Sequence, residues 1–307
     1  MRRRNRSPYR AMVASMRSIS VASIPMPIIL VGMTQPAFPK PSGEFEWVQA
    51  PWGAALRCRP VADIAPHCFS TRELRLEGSR DEDEGGWKDL AGALGVGLDA
   101  LVRLRQVHGA EVFAAGKGNR DPFSRAADEN GSRFPFHDWP EADIAITDDP
   151  SVALSVRAAD CVPILLADRR SAAVAAVHAG WKGTAAGAAM AAVGALASRF
   201  GTRPADVVAA VGPSIGACCY EVGAELAGHF SAHPDASRWF SHHARPHLDL
   251  WRATRDQLER AGVPAAQIHV SALCTFDHPA LFHSYRRDGT LAGRLVAAIR
   301  SAPGRTP

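Results

Sequence analysis

No carboxylate occurs in the first forty-three residues: six arginines and Lys40 precede Glu44, the first acid. The net charge of +4 for the 307-residue chain therefore originates in that segment, and removing its seven cations leaves the body at −3. A slightly acidic body argues against a nucleic-acid-binding face. Long apolar runs are also missing. The best amino-terminal stretch, residues 19–33, is broken by Pro25 and Pro27 and is too short for a confident membrane span. No clean small-x-small cleavage site follows it, so residues 1–43 are read as a disordered extension rather than a targeting signal, and no membrane partner is expected. Cysteine is sparse, with six at 58, 68, 161, 218, 219 and 274, and the adjacent pair Cys218 and Cys219 is poorly arranged to bond to itself. That density excludes a disulfide scaffold and points to a reduced, cytoplasmic protein. Neither an internal repeat nor a P-loop is present.

What is present is an ordinary globular composition, 47% hydrophobic and 21% charged, without a linker sharp enough to divide residues 44–303. One catalytic domain is expected there. Residues 151–156, 162–167, 172–178 and 207–211 read as strands, the second and third joined by a turn at residues 168–171. Residues 184–200 read as a helix ended by Gly201, residues 250–261 as a helix capped by Asp249 and stopped by Gly262, and residues 290–301 as a final helix. The polar segment 116–141 is expected to form a surface loop or lid. Strands and helices do not alternate regularly, which favours an α+β architecture.

Chemistry-bearing residues fall where these elements end. His108 lies in Arg-Gln-Val-His-Gly, Cys161 in Ala-Asp-Cys-Val-Pro and His178 in Val-His-Ala-Gly-Trp-Lys-Gly. Two imidazoles and one thiolate form a donor set suited to an open zinc site, which often takes three protein ligands and leaves a position for water or substrate. Their separations of 53 and 17 residues match no compact metal motif, so placement beside glycine and proline breaks carries the argument. Taken singly, each is more often a buried hydrophobe or a satisfied histidine. A metal-free reading also stands: Cys161 as a nucleophile activated by His178, with Asp160 nearby. The glycine-rich turn after His178, with Lys182, offers backbone N–H groups to an anion or serves only as a tight strand-to-helix turn. Residues 211–223 form a Gly-Pro turn cluster, read as structural. Residues 282–288 set two arginines beside two hydroxyls, suited to phosphate or carboxylate recognition or to a solvated charged turn.

In order, Arg-Gln-Val-His-Gly, Ala-Asp-Ile-Ala-Ile-Thr, Ala-Asp-Cys-Val-Pro, Val-His-Ala-Gly-Trp-Lys-Gly, Gly-Pro-Ser-Ile-Gly, Asp-Leu-Trp and Ser-Tyr-Arg-Arg-Asp closely resemble the YfiH/LACC1 family across residues 45–300. That family is also called laccase-like, multicopper polyphenol oxidase or peptidoglycan editing factor. The resemblance implies a four-layer α-β-β-α sandwich of mixed sheets and a zinc site on His108, Cys161 and His178. It implies phosphorolysis of adenosine, inosine, guanosine and methylthioadenosine, with deamination of adenosine, so a purine nucleoside and phosphate are the expected partners of a monomer or small homo-oligomer. Lys182 stands where the family commonly has Arg. The family's Phe-x-Thr-Arg block is matched at residues 69–72, but the Gly-Gly that usually follows is absent. Arg72, Lys182 and Arg286 are the expected phosphate ligands, and Asp160 is taken as the proton shuttle beside Cys161. Two alternatives remain open at this level: a peptidoglycan-precursor editing hydrolase acting through Cys161 or its metal, and a copper-dependent polyphenol oxidase. Copper binds many such donor sets more tightly than zinc. The absence of any His-x-His pattern, with only His242 and His243 adjacent, counts against the oxidase.

Overall fold

The computed structural model describes residues 38–76, 85–116, 139–241 and 245–302. The amino-terminal extension up to residue 37, most of the expected entrance loop (117–138) and the His242–His243 pair lie outside the described residues. Two six-stranded sheets dominate. In spatial order the first contains β1 (Phe45–Ala50), β2 (Gly53–Cys58), β3 (His67–Ser70), β12 (Leu295–Arg300), β7 (Ala153–Ala158) and β4 (Leu101–Val102). The second contains β11 (Ile268–Val270), β10 (Val207–Val211), β8 (Val162–Asp168), β9 (Val174–Ala179), β6 (Ile144–Thr147) and β5 (Val112–Ala114). Both are mixed: β4–β7, β5–β6 and β10–β11 run parallel, and the remaining pairs antiparallel.

The layers follow from side-chain parity. Successive residues of a strand face opposite sides of the sheet. On β8, Leu165 and Ala167 join the core between the sheets with Val174 and Ala176 of β9 and Leu154 and Val156 of β7. Val162, Ile164 and Leu166 turn the other way, against Ala189, Val193 and Leu196 of α4 (Ala188–Phe200) and Ala253 and Leu258 of α5 (Leu250–Arg260). On the first sheet, Val296 and Ala298 of β12 pack outward against Trp87, Leu90 and Ala91 of α2 (Gly85–Ala93), while Leu295, Ala297 and Ile299 face inward. Three apolar interfaces thus separate four layers, helix, sheet, sheet and helix, as the sequence resemblance implied.

The expected elements need two corrections. Residues 290–301 do not form a helix; β12 runs through the middle of the first sheet, paired with β3 and β7. Its Leu-Val-Ala-Ala-Ile run is apolar on both sides because both faces of that sheet are covered, and such a run has no strand periodicity to read. The helix expected over 184–200 is interrupted: α3 (Trp181–Ala185) ends and α4 begins after Gly187, whose φ is +77°. The 168–171 turn is a tight one, with Asp168 accepting hydrogen bonds from the Arg170 amide at 2.9 Å and the Ser171 hydroxyl at 2.7 Å. The Asp249 cap forms as expected, its carboxylate accepting from the Arg252 amide at 2.9 Å. No helix among the described residues is long and apolar enough to cross a membrane.

Register, finally, sets the neighbours of the chemistry-bearing residues. Val162 pairs with Ala179 across β8–β9, which puts Cys161 opposite Gly180, and Ile144 pairs with Val177 across β6–β9, which puts Asp143 opposite His178. Because Leu165 is fully buried between the sheets, Leu165→Ala should cost about 2–5 kcal/mol. Urea unfolding should show a lower midpoint with an unchanged slope.

Candidate metal centre

His108, Cys161 and His178 converge, with one ligand atom from each within 4.8 Å of the others. The two imidazole rings meet edge to face, their centroids 4.9 Å apart. Burial grades across the trio: His178 is buried, Cys161 half-buried and His108 exposed, so the cluster opens to solvent on the His108 side. Gly180 makes the approach possible. A Cβ built there would lie 2.8 Å from the Cys161 sulfur and 3.3 Å from the His108 ring, so no larger residue fits without displacing the trio.

A fourth residue organises these three. Asp143 is fully buried, and its carboxylate accepts from the amides of Val107 (3.2 Å), His108 (3.0 Å) and Gly109 (2.6 Å). The same carboxylate accepts from Nδ1 of His178 at 2.8 Å. One buried anion therefore folds the 107–109 turn and sets the imidazole tautomer, leaving Nε2 of His178 for the cluster. His108 sits in the left-handed region at φ 64°, a conformation that costs a non-glycine residue about 1–3 kcal/mol and persists where surroundings over-determine it. Here the three amide bonds to Asp143 do so. Gln106 secures the start of the turn, donating to the Arg157 carbonyl at 2.7 Å and accepting from the Arg157 amide at 2.8 Å, as one more strand residue beside β7 would.

Electrostatics follow from this packing. Burial raises the Cys161 thiol, but the charge of His178 and hydrogen bonds from His108 and His178 outweigh it and bring the thiol down to about 6. Burial lowers His178, while the Cys161 thiolate and the Asp143 carboxylate raise it further, to about 9. Burial likewise pushes Asp143 up, yet the bonds from His178 and the turn amides hold it below the usual carboxylate range. The result is a thiolate–imidazolium–carboxylate row. One thiolate and two nitrogens, one of them oriented by a buried carboxylate, suit a divalent metal with an open coordination position. They equally suit an activated cysteine, and the acid facing His178 in that case is Asp143 rather than Asp160.

Asp160 points elsewhere. At φ 87° its backbone turns the carboxylate toward the 275–286 segment, where it accepts from the Thr275 hydroxyl (2.6 Å), the Ser284 hydroxyl (3.0 Å) and the Arg286 amide (2.6 Å). These bonds fix α6 (Tyr285–Asp288), whose N-cap is Ser284. Within the Ser-Tyr-Arg-Arg-Asp block, Arg287 is used internally, donating to the carbonyls of Thr275, Phe276 and Phe282. Arg286 is exposed; it donates to the Glu221 carbonyl at 2.7 Å and lies 5.1 Å from the Tyr220 ring centre. Tyr220 is itself close enough to Cys161 and Asp160 for their charges to add to the burial that raises its phenol to about 12. Lys182 is exposed two residues beyond Gly180, its ammonium 5.6 Å from the Trp181 ring centre. Arg72 is held by a different segment: its guanidinium donates to the Pro279 carbonyl and its amide to that of Leu281. Asp143 and Gln106 are not singled out by the sequence as functional residues, although both lie in blocks quoted above, Ala-Asp-Ile-Ala-Ile-Thr and Arg-Gln-Val-His-Gly.

In metal-free protein, Cys161 should be alkylated by iodoacetamide at a rate that rises with pH through about 6 and then levels, because its thiolate persists down to that pH. In Asp143→Asn, His178 loses the anion that keeps it charged, and the midpoint should move upward. Peptide mapping of the alkylated cysteine against pH reads both.

A family model described as "Multi-copper polyphenol oxidoreductase laccase" matches residues 80–302. A purine nucleoside phosphorylase from Deinococcus radiodurans is 36% identical over 270 residues, covering 81% of this chain and 94% of that protein. Another, from Bacteroides thetaiotaomicron, is 38% identical over 161 residues; there the match covers 51% of this chain and 60% of the relative. Adenosine deaminase RL5, from an unknown prokaryotic organism, is 36% identical over 215 residues, covering 68% of this chain and 78% of its own. The crystal structure of YlmD from Geobacillus stearothermophilus superposes with a TM-score of 0.72 at 31% identity, covering 81% of this chain and 96% of that one. With the same two mixed sheets and a family match across most of its length, this chain belongs to the laccase-like multi-copper polyphenol oxidoreductase family, the family of YfiH and YlmD.

Proposed function

We propose that residues 44–303 form a single catalytic domain, a zinc-dependent purine nucleoside phosphorylase that also deaminates adenosine. The observation carrying this reading is the open three-donor cluster of His108, Cys161 and His178, with Nδ1 of His178 committed to Asp143. It occurs in a chain whose relatives include proteins named purine nucleoside phosphorylase and one named adenosine deaminase. The donor set fits the ion: Cys161 is already inclined to be a thiolate, and the free nitrogen of His178 has its tautomer set from behind. Zinc held there would supply Lewis acidity toward the purine or a water.

The rest is done by side chains. Asp143 keeps His178 oriented and the 107–109 turn closed. Phosphorolysis passes through an oxocarbenium-like sugar and needs a phosphate positioned against it. Arg286 is the best-supported phosphate ligand, since its backbone is anchored on Asp160 and its guanidinium lies over Tyr220, beside Cys161. Lys182 adds positive charge on the α3 side, and Arg72, held by the carbonyls of Pro279 and Leu281, is the third candidate. Asp160, with three donors on its carboxylate, we assign to positioning Thr275, Ser284 and Arg286 rather than to proton transfer.

The test is incubation of metal-analysed protein with adenosine, with and without phosphate. Adenine and ribose 1-phosphate should appear only with phosphate, and inosine in either case. Cys161→Ala should lose the zinc of this site and both activities; a variant that kept them would overturn the assignment, and a wild-type protein rich in copper rather than zinc would redirect it. Asp143→Asn should weaken metal affinity by about 10–100-fold. Arg286→Ala should raise the KM for phosphate about 10-fold or more while leaving deamination near wild type, as expected of a charged clamp on one substrate only.

A further inference from the structure

Outside the trio, the chain gathers a second set of metal-ligand types. Cys218, Cys219, Cys274 and Asp277 each bring one ligand atom within 4.8 Å of the others. Two separate loops supply them. Cys218 and Cys219 follow β10 on a turn in which the Gly216 carbonyl accepts from the amides of Cys219 and Tyr220, both at 3.0 Å. Cys274 and Asp277 follow β11, and the two loops are joined by a parallel bridge between Ser214 and Cys274. The turn also sends the Gly216 amide to the Cys274 sulfur at 3.3 Å.

All three thiols are free. Cys218 and Cys219 each donate to Asp277, one to each carboxylate oxygen, at 3.3 and 3.0 Å. Neighbouring cysteines usually diverge. Here both sulfurs aim at one anion, with a third sulfur beside them, which places the thiol protons where a cation would lie. Tetrahedral zinc with Zn–S bonds of about 2.3 Å needs its sulfurs roughly 3.8 Å apart, so the cluster would have to contract by only about 1 Å or less. Soft thiolates select zinc over magnesium or calcium.

We propose that Cys218, Cys219, Cys274 and Asp277 bind a second zinc ion, structural rather than catalytic. Four protein ligands close its coordination shell, in contrast with the open three-donor cluster. Zinc entry displaces the thiol protons to solvent and ties the 216–219 turn to the 274–277 loop. Both neighbours of that tie reach the first centre. Thr275 donates to Asp160 at 2.6 Å, next to Cys161, and Tyr220 lies under the Arg286 guanidinium. The second ion therefore acts as a clamp on two walls of the candidate active site. This inference does not depend on which reaction that site performs.

Full-length protein kept reduced and loaded with zinc should hold about two equivalents per chain, and Cys161→Ser should retain about one. X-ray absorption of the zinc left in Cys161→Ser should show three sulfur neighbours at about 2.3 Å, and Cys218→Ser/Cys219→Ser should remove it. Where serine variants fold poorly, wild-type protein decides: zinc should slow alkylation of Cys218 and Cys219 by at least about 10-fold, and a chelator should restore it. The proposal is overturned if Cys161→Ser binds no zinc, if its remaining zinc has only nitrogen and oxygen neighbours, if zinc leaves the alkylation rate unchanged, or if two of the three thiols are joined in a disulfide. A wild-type protein with one equivalent that Cys161→Ser keeps would support this clamp and count against the first centre.

Discussion

Everything at the candidate metal centre depends on the burial of one carboxylate. An uncompensated buried carboxylate costs several kcal/mol, so Asp143 persists only because four donors surround it. Three of these are consecutive backbone amides, and satisfying them obliges the chain to turn sharply at His108, which explains its left-handed backbone. The fourth is Nδ1 of His178. A single anion thus determines the position of one histidine and the tautomer of another. The thiolate character of Cys161 is one step further along the same chain, since it relies on the charge that Asp143 keeps on His178.

The sheets supply the rigid frame for this arrangement. Antiparallel registers bring Asp143 to His178 and Cys161 to Gly180 without any loop having to find the other in solution. Such precision is available because β6, β8 and β9 are buried on both faces, and a one-residue slip would carry every apolar side chain to the wrong layer. The glycine at 180 then converts register into contact, letting sulfur lie against backbone.

Asp160 illustrates how a polar residue beside a reactive one can serve another purpose. Its carboxylate stands at a junction from which Thr275, Ser284 and Arg286 are all held. That junction connects the three-donor centre to the loop bearing Cys274 and Asp277, so the two clusters share a wall. One is open, with two nitrogens and a sulfur; the other gathers three sulfurs and a carboxylate. Their donor sets differ in the way catalytic and structural metal sites differ.

The sequence by itself determined the α+β class, the central strands, the capped helix after Asp249 and the identity of the residues at the three-donor centre. Those are local properties: periodicity, capping chemistry and the breaks that follow a strand. It could not place β12, because a strand covered on both faces carries no alternation to distinguish it from a helix. Nor could it separate the roles of Asp143 and Asp160. Each is an acid beside a short apolar run, and only strand register and a positive φ decide that one faces His178 and the other faces α6. The same holds for Cys218, Cys219, Cys274 and Asp277. More than fifty residues of sequence separate the two halves of that cluster, and what unites them is the parallel pairing of β10 with β11, a long-range contact that no local pattern encodes.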